Sequence, residues 1–575
     1  MKNKKFDNKK FKKRDFNKGD KKNFSKDRGF SKDRDFKRDR SFSSDRPRQK
    51  FVPLGNEEEL TFKEINADLN KKRVQVMGTV GKIVQTKGPT IFVVTDSTGS
   101  LSLKGFEKPG DRSYPDINEG DSIKATIEIG EYNGEVEGEI KALSKLTEEE
   151  HQKLSKKILE EQKKRAKTQP PEFLIKSEIL DHLKSLFIKA AEEIRLAIIQ
   201  QRPIIVRHHN DTDGYSSGFA LERAILPLIE KEQNSEKAGW EFFQRAPCAA
   251  PFYEIDDSIR DVAQSLRNEA KFSNKMPLVI IADNGSSPED LMAIKHAKVH
   301  GMDSIVIDHH FSSEDVISKE VLTHINPFLV GDDGSHFSAG MLCTEFARFI
   351  NPEVKNISQI AGMAGMADRI DLGNPKAVED YLKIAKKEGY SKELLNDIAT
   401  VIDFVSAKIR FMEVREYMEV IFGTPREKQK ELVSLLAPHI KNLEKKGLAI
   451  SVANAKQELI KKTTFQTIDI DHTFPGFGFY PKPGMCVGMT HDDLQKTKKI
   501  TNLVSAGIMN TAITLRATDQ ANFSVHDLIT LLNKKLPNAF VEGGGHKNAG
   551  SITFLPNKKD EVVKILKEFI KERSK

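Results

Sequence analysis

A chain of 575 residues, 38% of them hydrophobic and 31% charged, is too long for one core and predicts about three or four domains. No apolar run approaches the ~18 residues that span a bilayer, and the N-terminus lacks the hydrophobic stretch of a signal peptide, so a soluble cytoplasmic protein without membrane contact is expected. Cys248, Cys343 and Cys486 lie far apart with no CxxC pair, which argues against a disulfide framework or a cysteine zinc site and suits a reducing compartment.

The net charge of +8 is unevenly distributed. Residues 1–50 carry 21 Lys+Arg against 8 Asp+Glu, an excess of +13, so the other 525 residues carry −5. In this tail Phe24, Phe30, Phe36 and Phe42 recur every six residues, and Asp-Arg recurs at 27–28, 33–34, 39–40 and 45–46. Too few aliphatic residues are present to build a core, so residues 1–55 read as a disordered basic tail. Basic residues interleaved with aromatics suit single-stranded nucleic acid, through phosphate attraction and base stacking, although a merely solubilising arm has the same composition.

Between residues 60 and 146 the pattern changes to short alternating strands: Val74–Val80, Thr90–Thr95, Ser100–Leu103, Asp121–Ile129 and Glu135–Ile140. Turn signals at Asp96–Gly99 and Tyr132–Gly134 separate them. Five such strands fit a small closed barrel of the OB type, a fold that often binds single strands. Candidate nucleic-acid contacts are Lys82, Lys87, Phe92, Lys104 and Phe106, with Phe92 equally suited to the core; Glu131, Glu135, Glu137 and Glu139 make the far end acidic.

Residues 147–172 read as a charged helical linker closed by Pro170-Pro171, and the next helix, with Leu174, Ile179, Leu183 and Phe187 near helical spacing, should pack on a sheet. Over 173–374, three apolar runs each end in a cluster of ionisable residues. Pro203–Val206 precedes Arg-His-His-Asn-Asp-Thr-Asp-Gly (207–214), Leu278–Ala282 precedes Asp283, and Ser304–Ile307 precedes Asp308-His309-His310; Asp368 follows later. Such runs mark buried parallel strands, whose carboxyl ends share one crevice. Residues distant in sequence would therefore meet in space. Residues 375–445 read as a helical connector, and 446–575 as an α/β domain with strands at Ala449–Ala453 and Ala512–Arg516 and a glycine-rich loop at Gly543-Gly544-Gly545-His546. Asp332-Asp333, Asp469–His472 and His491–Asp493 read as solvated loops, because no comparable strand precedes them.

Carboxylates and imidazoles together suit hard divalent ions, with imidazole tilting the choice towards Mn²⁺ over Mg²⁺. Two such ions roughly 3.5–4 Å apart can clamp a phosphate and lower the pKa of an attacking water. Asp283, alone on its strand, suits a position between them. Alternation at a strand end points His208 and His209 to opposite faces, so one of the two is a ligand.

The order His-x-Asp-x-Asp-Gly, lone Asp, Asp-His-His and a further Asp resembles the DHH phosphoesterase superfamily, and Gly543–His546 resembles the signature of its DHH-associated domain. The five motifs span about residues 200–575, and the barrel and size look most similar to archaeal RecJ-like single-strand exonucleases. Smaller members of the superfamily place their first histidine where this chain has Arg207. The resemblance implies an α/β architecture, with a parallel-sheet DHH catalytic domain and an α/β DHH-associated C-terminal domain. It implies one metal at His209, Asp211 and bridging Asp283, and another at Asp213, Asp283, His309 and Asp368. Asp308 would orient a neighbouring ligand, His310 would contact the scissile phosphate, His546 and Arg516 would hold substrate phosphate beside Gly543, Gly544 and Gly545, and Arg369 would stabilise developing charge. The implied activity is Mn²⁺-dependent exonucleolysis of single-stranded DNA or RNA, alongside replication or repair proteins. Hydrolysis of oligoribonucleotides or cyclic dinucleotides, and a non-enzymatic replisome scaffold, are the competing readings; a dinucleotide needs neither barrel nor tail, and a scaffold needs no intact carboxylates.

Overall fold

The computed structural model describes residues 57–574 except 109, 133, 234, 249, 273, 313, 410–414 and 476–478; the basic repeat tail lies outside the described residues. Strands β1 (Arg73–Gln85), β2 (Thr90–Thr95), β3 (Ser100–Gly105), β4 (Ser122–Tyr132) and β5 (Glu135–Lys145) close into a barrel of order β1-β2-β3-β5-β4. Alternation drives it: Val76, Val80, Phe92, Val94, Leu103, Ile123 and Ile127 point inward and fill the interior. Where β3 meets β5, a Cβ on Gly138 would lie 2.7 Å from Ile127 and 2.8 Å from Leu103, so only glycine lets the barrel close there. The predicted Asp96 turn forms, the Asp96 carboxylate accepting the Thr98 and Gly99 amides.

The helix Glu148–Ala166, begun by a Thr147–Glu150 capping box, leads from the barrel to the catalytic sheet. That sheet contains β6 (Ile204–His208), β7 (Phe243–Pro247), β8 (Leu278–Ala282), β9 (Ser304–Ile307) and β10 (Thr323–Ile325), all parallel, in the order β10-β9-β8-β6-β7. From β6 the chain moves outward to β7 and then returns to β8 on the other side. The crevice at the carboxyl ends of β6 and β8 is thus the topological switch point, where an open α/β sheet binds ligands.

The segment predicted as a connector belongs to the catalytic core instead. Helices Pro375–Lys387, Lys392–Ile409 and Arg426–Asn454 bury Tyr381, Leu395, Ile402, Val433 and Ile440 in the same hydrophobic cluster as Ile204, Val206 and Ile280. The strand expected at Ala449–Ala453 is the last turn of the helix Arg426–Asn454. Its alternating look reflects a helix that passes from one lobe to the other, leaving Ile450 and Val452 exposed. The helix also runs through the expected boundary at residue 445.

The C-terminal lobe is a six-stranded mixed sheet made of β11 (Lys456–Ile460), β12 (Thr463–Asp469), β13 (Leu503–Ile508), β14 (Ala512–Ala517), β15 (Glu542–His546) and β16 (Ala549–Thr553), ordered β11-β12-β13-β14-β16-β15. The expected glycine-rich loop is the edge strand β15, paired antiparallel with β16. Gly543 and Gly550 permit this, since a Cβ on either would come within 2.4 Å of a carbonyl on the opposing strand. Among the described residues no helix is long and apolar enough to cross a membrane.

Candidate metal and phosphate site

Three strand ends and one helix end build the site. β6 runs into the loop 209–211 and the helix Thr212–Gln233; β8 ends at Asp283; β9 ends at Asp308-His309-His310; and Asp368 caps the helix Ile360–Ala367. Asp283 sits at φ 58°, a left-handed conformation that costs a non-glycine residue free energy and that tends to persist at functional sites. The turn propensity of Asp283-Asn-Gly is therefore used, and it aims the carboxylate into the crevice.

Three donor groups share that carboxylate, each with its ligand atoms within 4.8 Å of one another: His209, Asp211 and Asp283; Asp213, Asp283 and His309; and Asp283, Asp308 and His310. In the third the Asp308 carboxylate is already hydrogen-bonded to His310, which leaves the first two open to a cation. His209 Nδ1 lies 2.8 Å from Asp211 and 3.7 Å from Asp283. His309 Nε2 lies 3.4 Å from Asp283, 3.7 Å from Asp368 and 3.9 Å from Asp213. The Asp213 and Asp283 Oδ2 atoms are buried and have no hydrogen-bond partner among the described residues. Buried carboxylate oxygens normally find donors. Orphaned oxygens flanked by imidazole nitrogens are what a divalent cation requires, so the donor set fits one ion at each of the two open groups.

The electrostatics agree. Burial, then the Asp283 and Asp368 charges, push Asp213 well above the ordinary carboxylate range. Burial opposes protonation of His309, yet the Asp283 hydrogen bond and the charges of Asp368 and Asp213 lift it well above its ordinary value. Burial likewise opposes protonation of His209, and Asp211 and Asp283 outweigh it. The cluster is short of positive charge, and protons compete for the positions a cation would take.

His208 is turned away from this cluster. Its Nδ1 lies 2.7 Å from the His209 carbonyl, its ring packs edge-on to Tyr215 at 4.7 Å, and burial with the nearby Arg245 lowers its pKa to about 3. Of the two histidines, His209 faces the carboxylates. Arg207 ion-pairs with the buried Asp257 and Asp261.

The Asp308 carboxylate accepts the amides of Ser286, His309 and His310 and the Nδ1 of His310 at 2.8 Å, which fixes the His310 imidazole, while the His309 Nδ1 lies 3.2 Å from the Gly334 carbonyl. Burial opposes protonation of His310, and Asp308 raises its pKa on balance. His546, at the end of β15, stacks on His310 at 4.8 Å and reaches Asp368 at 3.8 Å. The structure thus brings His209, Asp211, Asp213, Asp283, Asp308, His309, His310, Asp368 and His546 together in one crevice. Arg516 on β14 is within charge range of Asp368, and its side chain makes no ion pair or hydrogen bond among the described residues. Arg369 points elsewhere: at φ 57° it is turned to Asp492 of the second lobe, 3.5 Å away.

The barrel residues fare differently. Phe92 is 0% exposed and belongs to the core, which removes it as a nucleic-acid contact. Lys82 is spent on Glu241 and Asn274 of the catalytic domain, each at 3.2 Å, and Lys104 on Glu137 at 2.5 Å and the Tyr132 ring. Lys87 and Phe106 remain exposed. Of the segments expected as solvated loops, His491 is instead buried on a helix against Ser505, whereas Asp332, paired with His182, and Asp469, which caps the turn at His472, lie in segments that reach the surface.

Three contributors carried no sequence signal. Asp403, on the helix Lys392–Ile409, accepts the Thr212 amide at 3.0 Å. Lys482 Nζ reaches from the second lobe to the Asn210 carbonyl at 3.0 Å and Ser406 at 3.3 Å. Both grip the loop that presents His209, Asp211 and Asp213. His526 of the second lobe lies beside Phe311, with its rings 6.0 Å apart.

A parallel sheet with aspartates and histidines gathered at its switch point, faced by a second α/β lobe, defines a class of phosphoesterase. The chain belongs to the DHH family, whose N-terminal-domain model matches residues 203–367, as its motif order implied. It is 36% identical over 554 residues to an uncharacterized protein of Methanocaldococcus jannaschii, covering 91% of this chain and 72% of that one. It is 37% identical, with a TM-score of 0.69, to the solved DHH domain of a protein described as a member of a family of ribosomal proteins, covering 75% of this chain and 99% of that one. A structure of exonuclease RecJ bound to manganese is 14% identical, with a TM-score of 0.46 over 70% of this chain and 96% of that one, a likeness too distant to argue from.

Proposed function

We propose that this chain is a two-metal phosphodiesterase that shortens single-stranded DNA or RNA from an end, working in the cytoplasm with Mn²⁺ preferred over Mg²⁺. The observation that carries this is the pair of open donor groups sharing Asp283, with buried, unpartnered oxygens on Asp213 and Asp283. His209, Asp211 and Asp283 would hold one ion, and Asp213, Asp283, His309 and Asp368 the other, the imidazoles favouring Mn²⁺. When bound, the ions supply charge neutralisation at the phosphate and a lowered pKa for the attacking water. His310, oriented by Asp308, donates a hydrogen bond to the phosphate, and His546 and Arg516 hold it from the second lobe. Single-strand preference is supported by the approach of the second lobe to the site, with His546 3.8 Å from Asp368, and by the barrel and basic tail.

The test uses single-stranded DNA and RNA labelled at either end, with Mn²⁺, Mg²⁺ or EDTA, alongside a dinucleotide. Mn²⁺-dependent release of mononucleotides from long strands is expected. Cleavage of the dinucleotide alone would make this a small-substrate phosphodiesterase, and strand binding without cleavage would make it a scaffold.

A further inference from the structure

Phe311 directly follows His310, yet phosphate chemistry has no use for a phenyl ring. The residue is 42% exposed, and its ring stands steeply inclined to two neighbours, 5.2 Å from Phe328 at 81° and 6.0 Å from His526 at 62°. Phe328 belongs to the catalytic domain, whereas His526 lies on the helix Val525–Lys535 of the second lobe. The ring is thus fixed where both lobes meet, and its exposure shows that their packing does not consume it. A partly exposed aromatic ring at the junction of the lobes suits stacking against a planar group.

We propose that Phe311 is a stacking platform for a nucleobase next to the scissile phosphate, with His526 packed beside it from the second lobe; this rests on the phosphodiesterase reading above. His310 stacks on His546 and Phe311 packs beside His526, both of the second lobe, so the two neighbours border the same cleft. The platform selects phosphodiesters that carry bases over bare phosphate chains, and it tolerates any sequence because every base has a π-face.

The experiment compares cleavage, with Mn²⁺, of an intact single strand and of the same strand carrying abasic tetrahydrofuran residues at the last two positions of each end. Wild-type protein should prefer the intact strand in kcat/KM by roughly 5- to 100-fold, the worth of one stacked base. Phe311→Ala should bring that ratio close to one, and Phe311→Trp should keep it. A ratio unchanged in Phe311→Ala overturns the platform, as does a loss that is equal on both strands. Quenching of terminal 2-aminopurine on binding to the full-length protein in EDTA is read in parallel. If wild-type protein quenches the base but cleaves nothing, and Phe311→Ala does not quench, the platform stands while the nuclease reading falls; absence of quenching by the wild type counts against the platform.

Discussion

The crevice and the barrel handle charge in opposite ways. On the barrel, four cations are paired with anions of the same small fold: Lys104 with Glu137, Lys141 with Glu139, Lys145 with Asp121, and Arg73 with Glu128. In the crevice, Asp213, Asp283 and Asp368 crowd together, and the side chain nearest to all three is the His309 imidazole. Surface pairs contribute about 0–1 kcal/mol each, whereas a buried carboxylate without a partner costs several kcal/mol. Part of the barrel's charge is thus neutralised from within, whereas the donor groups of the crevice fit a divalent cation from outside. A fold accepts that cost where the ligand returns it.

The largest effect expected from breaking this contrast is at the shared carboxylate. Asp283→Asn should lower strand cleavage at least about 1000-fold, because both open donor groups lose one ligand. In calorimetric melting, wild-type protein should gain about 2.7 kcal/mol per site at Mn²⁺ a hundredfold above Kd, and the variant should lose most of this gain. A variant stabilised like wild type would mean that Asp283 is not the bridge.

Next comes the barrel core. Phe92→Ala should destabilise the barrel by about 3–5 kcal/mol in denaturant unfolding, through a cavity and not through a lost strand contact. A barrel of native stability with weakened strand binding would return Phe92 to the surface.

A smaller loss is expected from Lys482→Ala, which frees the loop at Asn210 without touching a ligand atom. Mn²⁺ affinity by titration calorimetry should fall about 10- to 100-fold, as for other groups that orient ligands. The same titration carries a pH signature. His209 and His309 are raised above their ordinary values, so protons compete with the metal and Mn²⁺ affinity should climb as pH rises through neutrality. An affinity flat between about pH 6 and pH 8 would show that neither imidazole is a ligand.

The smallest effect belongs to the surface pairs. Lys104→Ala should change stability by no more than about 1 kcal/mol. Lys87→Ala should weaken strand binding evenly across sequences and lower the salt slope by about one phosphate contact.

The same contrast explains what the sequence made legible. Residues at the ends of buried parallel strands have one place to go, so Asp211, Asp213, Asp283, Asp308 and His309 could be placed together from sequence alone. A lysine or phenylalanine on an alternating strand carries no such constraint. Which face Phe92 occupies depends on barrel register, and whether Lys82 is free depends on Glu241, 159 residues away. Lys482, Asp403 and His526 act across long separations from helices with ordinary composition, so local pattern held nothing to find. The strand expected at Ala449–Ala453 failed because a short apolar alternation at the end of a helix looks like a strand. The glycines of β15 looked like a loop because only a neighbouring backbone reveals why side chains are missing there.

The helix Arg426–Asn454 gives the molecule a connecting rod. Its 29 residues span about 43 Å, with Val433 and Ile440 anchored in the catalytic core and Gly447 closed against Pro481 of the second lobe. A continuous helix, and not a loose tether, therefore joins the two halves. Parting them would mean bending that rod or tearing it from its packing, besides breaking the contacts that the halves make directly.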